Sequence, residues 1–126
     1  MNKTEIEEIV AARIEDAEIL YSSSRYDGSV YLCGYAIELG LKGRICRTLQ
    51  WDECPTSGKY ATFKTHDLDV LLHLSGCEDE IKQHHTTDWS IVAQWNPEAR
   101  YNPIGMVRDS DAKDMLESTK ELLKIL

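Results

Sequence analysis

The chain has 126 residues, 42% of them hydrophobic, which suffices to bury roughly two-thirds of its unfolded surface as a single domain. A net charge of −8 excludes a general nucleic-acid binder, because non-specific binding comes from neutralising phosphates; any nucleotide or RNA contact has to be local. Glu5, Glu7 and Glu8 stand where a signal peptide needs an apolar core, which points to a cytoplasmic protein.

Asn2 or Thr4 can cap a first helix whose early acids suit the helix dipole. Its core stripe reads Ile6, Val10, Arg13, Ala17 and Leu20, and it ends at about residue 22. Ser22–Ser24 and Tyr26-Asp27-Gly28 form a short turn, which implies that the next helix runs antiparallel. That helix, residues 29–47, is apolar on nearly every side from Val30 to Leu41 and must be surrounded by other elements. Its apolar run is too short to cross a bilayer. Gly34, Gly40 and Gly43 each cost about 1 kcal/mol relative to Ala, so they predict close approach of a neighbouring helix. Glu38 and Lys42 are spaced i, i+4 and can face each other.

Residues 51–64, with Pro55 and Gly58, are the longest irregular stretch, and loops of that length are often functional. A third helix starts at an N-cap, Thr65, carries Leu68, Leu71, Leu72 and Leu74, and stops at Ser75-Gly76. Residues 78–95 form one or two helices with Ile81, Trp89, Val92 and Trp95 inside, ended by Asn96-Pro97. An ordered loop with Asn102-Pro103 and Gly105 precedes a last helix from about Ser110, built on Met115, Leu116, Thr119, Leu122, Leu123 and Leu126. No segment alternates like a strand. The predicted fold is all-α, an up-and-down bundle of four main helices and a short extra one, as one domain over residues 1–126. Cys33, Cys46, Cys54 and Cys77 lack a CxxC pair and read as reduced packing residues.

The order of three motifs carries a family resemblance: Ala36-Ile37-Glu38 with Leu41-Lys42, then His66-Asp67-Leu68 with Leu71-Leu72, then Arg100-Tyr101. Over residues 8–125 the chain resembles the prokaryotic HEPN domain family, small helical bundles that often pair as homodimers. Ribonuclease members of that family carry an Arg followed four to six residues later by His. Here no Arg precedes a His by that gap, and no His follows His85. Members without the motif look like nucleotide- or RNA-binding modules, or like non-catalytic parts of toxin–antitoxin and phage-defence systems.

The candidate ligand-binding residues are His66, Arg100, Tyr101, Lys42 and Arg44. His66 at a helix start can trade protons while Arg100 holds a phosphate bidentately, with Tyr101 stacking. Lys42 and Arg44, with Arg47, add the one basic cluster. Each has a structural alternative. His66 can bond backbone or Asp69, Arg100 can pair with Glu38, and Arg44 and Arg47 can serve a helix C-terminus. Glu38 is assigned a structural role, fixing the register of the bundle. His84, His85 and Asp88 do not stand at a metal-ligand spacing, and no nucleophile elbow or glycine-rich phosphate loop occurs, so no metal or cofactor is expected. Trp51, Trp89 and Trp95 anchor a core or a homodimer interface. The leading reading is a non-catalytic nucleotide- or RNA-phosphate-binding module. The alternatives are a divergent metal-independent ribonuclease using His66 and Arg100, and an adaptor for a cognate protein partner.

Overall fold

The computed structural model describes residues 1–53 and 65–126. Six α-helices are present among them: α1 (Lys3–Ser22), α2 (Tyr26–Thr48), α3 (Leu68–Ser75), α4 (Glu78–His84), α5 (Thr86–Val92) and α6 (Asp109–Leu123). A 3-10 turn, Pro97–Tyr101, joins α5 to the loop before α6. The only extended pairing among the described residues is an isolated bridge between Asn2 and Glu53. The all-α bundle is as predicted. Its helix number exceeds four to five because residues 78–95 break at His85, whose backbone leaves the helical region at φ −134°.

Asn2, rather than Thr4, caps α1. Its side chain accepts from the Glu5 N–H at 2.9 Å while the Glu5 carboxylate accepts from the Asn2 N–H at 2.9 Å, a closed capping box. Ile6 and Ala17 are buried, but Arg13 leaves the predicted stripe, lying exposed beside Asp16 at 3.4 Å. The α1–α2 pair is antiparallel. Ser29 Oγ donates to the Ala17 carbonyl at 2.8 Å near one end, and Ile6 packs over Gly43 at the other.

On α2 the side chains of Cys33, Ala36, Ile37 and Leu41 are all fully buried. The glycines do mark close approach. A Cβ on Gly34 would lie 2.1 Å from the Trp95 ring, and one on Gly40 would lie 2.8 Å from Leu123 of α6. The tightest approach is therefore made by a tryptophan just past α5, not by a neighbouring helix.

The cap of α3 is Asp67, two residues after the predicted Thr65. Asp67 Oδ1 accepts from the N–H of Asp69 at 3.0 Å and of Val70 at 3.3 Å, while Thr65 Oγ1 accepts from the N–H of Asp67 at 3.1 Å. Leu68, Leu71 and Leu72 are buried, Leu74 faces outward, and Gly76 ends the helix at φ +82°. At the start of α6, Asp109 accepts from the hydroxyls of Tyr21 at 2.5 Å and Tyr26 at 3.2 Å, which ties α6 to the α1–α2 turn.

Cys33 and Cys77 are free and buried, whereas Cys46 is disulfide-bonded, which corrects the expectation that all four cysteines are reduced. The predicted functional loop lies mostly outside the described residues, at 54–64. No helix among the described residues is long and apolar enough to cross a membrane.

Candidate functional site

Tyr31, Tyr35, Glu38 and Lys42 recur at helical spacing along one side of α2. Glu38 is only 5% exposed, and a carboxylate so buried must be satisfied. It is satisfied twice. Lys42 Nζ donates to Oε2 at 3.2 Å, and His66 Nδ1 lies 2.6 Å from Oε1. A carboxylate only accepts, so Nδ1 is the protonated ring nitrogen and Nε2 is left for other chemistry. The Lys42 side chain is largely buried, while that of His66 is about half exposed at 52%.

Above this ion-paired knot sits an aromatic cluster. The Tyr31 hydroxyl donates to that of Tyr35 at 3.1 Å, and their rings meet edge to face with centroids 5.0 Å apart. Trp95 packs on both tyrosines, 5.5 Å from Tyr35 and 6.1 Å from Tyr31. Arg100, on the 3-10 turn, lies exposed with its guanidinium 4.9 Å from the centre of the Tyr101 ring. Interaction with the Tyr31 hydroxyl, and then with Tyr101, raises the already high pKa of Arg100. The Tyr35 phenol is also raised, first by the hydrogen bond with Tyr31 and then by burial. Glu38 pushes it further up and Arg100 pulls it down, so Tyr35 stands in the field of both.

A cavity of about 460 Å³ opens beside His66, with Asp67, Asp69, Trp95, Asn96 and Glu98 among its walls. Asp69 is held by the Trp89 indole N–H at 3.2 Å rather than by His66. After Arg100-Tyr101 the chain is clamped: the Asp27 carboxylate accepts from the N–H of Gly105 at 2.7 Å and of Val107 at 3.1 Å.

The structure thus joins His66, Glu38 and Lys42 directly and links Arg100 to them through Tyr31 and Tyr35. Arg100 does not line the His66 cavity and does not pair with Glu38. Arg44 lies elsewhere. At 100° per residue it points to the other side of α2, where its guanidinium donates to the Ile125 carbonyl at 3.0 Å just past the end of α6. Sequence reasoning missed Tyr31 and Tyr35 and read Trp95 as a core or interface anchor, which its burial bears out; the shared face of Tyr31, Tyr35, Glu38 and Lys42 was readable from their spacing.

No curated protein and no solved structure matches this chain. The family model of the HEPN domain matches residues 11–126, nearly the whole length and all of α2 to α6. By that match, the chain belongs to the HEPN domain family.

Proposed function

We propose that this HEPN-domain protein is a non-catalytic binding module that takes a nucleotide or an RNA phosphate at the Tyr31–Glu38 side of α2, working as a cytoplasmic homodimer in a bacterial defence or toxin–antitoxin setting. The observation that supports it most is Arg100, an exposed cation backed by Tyr101 and Tyr31 in an otherwise acidic chain. A guanidinium laid on an aromatic ring keeps its donors free to grip phosphate bidentately. The His66 cavity is walled by Asp67, Asp69 and Glu98 and repels phosphate, but its carboxylates can accept from sugar hydroxyls or base amino groups. Arg100 and Tyr101 therefore take the phosphate, and the cavity takes the rest of the ligand. Lys42 contributes positive potential from behind Glu38, while Arg44 stands too far round α2 to join.

One observation favours the ribonuclease reading: the buried Glu38 carboxylate orients His66, as a carboxylate orients a catalytic imidazole in an acid–base dyad. A single set of incubations separates the two. Nucleotides and mixed-sequence RNA are added with EDTA to the wild type, His66→Ala and Arg100→Ala. A thermal shift lost in Arg100→Ala, with intact RNA, is the expected result. RNA cleavage lost in both variants makes the protein a nuclease, and neither shift nor cleavage leaves an adaptor for a protein partner.

A further inference from the structure

The Tyr31–Tyr35 pair leaves one hydrogen over. A phenol has a single hydrogen to give and lone pairs with which to accept, whereas a guanidinium only donates. Arg100 therefore meets Tyr31 at the hydroxyl oxygen, and the Tyr31 hydrogen goes to the Tyr35 oxygen 3.1 Å away. Tyr35 receives that bond, so its own hydrogen needs a further acceptor. None of the described residues supplies one. Glu38, one turn further along α2, has one oxygen on Lys42 and the other on His66, and makes no bond to Tyr35. The hydroxyl pair is only part-buried, which leaves this last hydrogen within reach of a ligand.

We propose that Tyr35 is a second phosphate-binding residue, its hydroxyl donating to an oxygen of the same phosphate that Arg100 grips. This rests on the phosphate reading given above and adds a neutral donor to it. Placement argues for a shared ligand, because Arg100 and Tyr35 stand on either side of one hydroxyl, that of Tyr31, and a phosphate presents several acceptor oxygens at once. Direction argues for strength. The hydrogens run outward from the cation through Tyr31 to Tyr35, and each bond in such a chain polarises the next, so the free hydrogen is the most acidic end. The ring carrying it is fixed, edge to face with Tyr31 at 5.0 Å and with Trp95 at 5.5 Å. Chemistry argues for a phenol at this place. A second cation beside Glu38 would be drawn into its carboxylate, as Lys42 is, whereas a neutral hydroxyl stays available.

The test measures calorimetric binding of the four ribonucleoside 5′-monophosphates, the same nucleosides without phosphate, and a mixed-sequence RNA octamer. The full chain is compared with Tyr35→Phe and Arg100→Ala. Phenylalanine keeps the ring against Trp95, and circular dichroism with thermal unfolding checks that both variants are folded. The expected result is that Tyr35→Phe weakens a phosphate-bearing probe by about tenfold, the loss of a hydrogen bond to a charged group, and leaves nucleoside binding as it was. On the octamer, Arg100→Ala reduces the slope of log affinity against log salt by about 0.7, the share of one phosphate contact on a single strand. Tyr35→Phe lowers affinity at every salt concentration and leaves that slope unchanged, because a phenol carries no charge. Wild-type affinity in Tyr35→Phe, with Arg100→Ala impaired, overturns the inference and leaves the phosphate reading standing. Equal weakening of nucleotide and nucleoside overturns it as well, since Tyr35 then shapes the site without holding the phosphate. A wild type that binds none of the probes removes the phosphate reading, and this inference with it.

Discussion

The two sides of α2 are built on opposite rules. On the Tyr31–Lys42 side the polar groups of α2 have company: a carboxylate shared by Lys42 and His66 and a hydroxyl pair, with a guanidinium laid on a ring nearby. On the Gly40–Arg47 side backbone and apolar side chains line an open trough, and several exposed charges stand along its rim. The first side is expensive to disturb because Glu38 and Lys42 are already out of water; the second tolerates change because water still reaches it. That asymmetry predicts where substitutions hurt.

The largest effect belongs to Glu38→Ala. It takes away the buried carboxylate that Lys42 and His66 share, and breaking a buried pair from one side costs about 3–5 kcal/mol, read as a lower urea midpoint. The comparison sharpens in the double variant Glu38→Leu/Lys42→Met, which recovers most of the loss because both charges go together. A double variant as unstable as the single one would show that His66, not Lys42, is the partner that matters.

Gly34→Ala comes next. Its new Cβ meets the Trp95 ring at 2.1 Å, an overlap that costs about 1–3 kcal/mol in thermal unfolding. Gly43→Ala, on the open side, meets only Ile6 Cγ2 at 3.1 Å, and a helix-propensity gain of about 1 kcal/mol offsets the crowding. Equal losses at the two glycines would erase the proposed difference between the faces.

Arg44→Ala removes one hydrogen bond to the Ile125 carbonyl and costs about 1 kcal/mol, with nucleotide binding unchanged. The last effect appears only in alkali. Burial pushes the Cys33 thiol up from 9.0 to about 11, so the folded state holds its proton more tightly than the unfolded one. The stability this confers is complete below pH 9 and is lost as pH rises toward 11. The stability gap between wild type and Cys33→Ala therefore narrows across that window, and a gap independent of pH would count against it.

How much of this was readable in advance follows the distance along the chain over which each interaction acts. The capping box of Asn2 and Glu5, the Glu38–Lys42 pair and the stop at Gly76 are local, and sequence spacing reaches them. The glycines of α2 announced close neighbours but could not say which. Nothing in the spacing shows that Trp95, rather than a helix, lies on Gly34. His66 finds Glu38 across 28 positions, and Arg44 finds the Ile125 carbonyl across 81, so both depend on how the helices assemble. The one-sided run of Tyr31, Tyr35 and Glu38 was local and could have been found. It was hidden because tyrosines on a central helix look like core.

The Asp27 clamp carries a consequence for how this molecule can vary. One carboxylate holds the N–H groups of Gly105 and Val107, two residues apart, while Ile104 between Tyr101 and the clamp is 97% exposed. Side chains in that loop are free to drift, since the bonds are made to backbone. Its length is not, since one inserted residue would offer Asp27 a different pair of amides and turn Arg100 on its ring toward a new direction. Relatives that keep an acid at this point of α2 should therefore differ here in letters and agree in count.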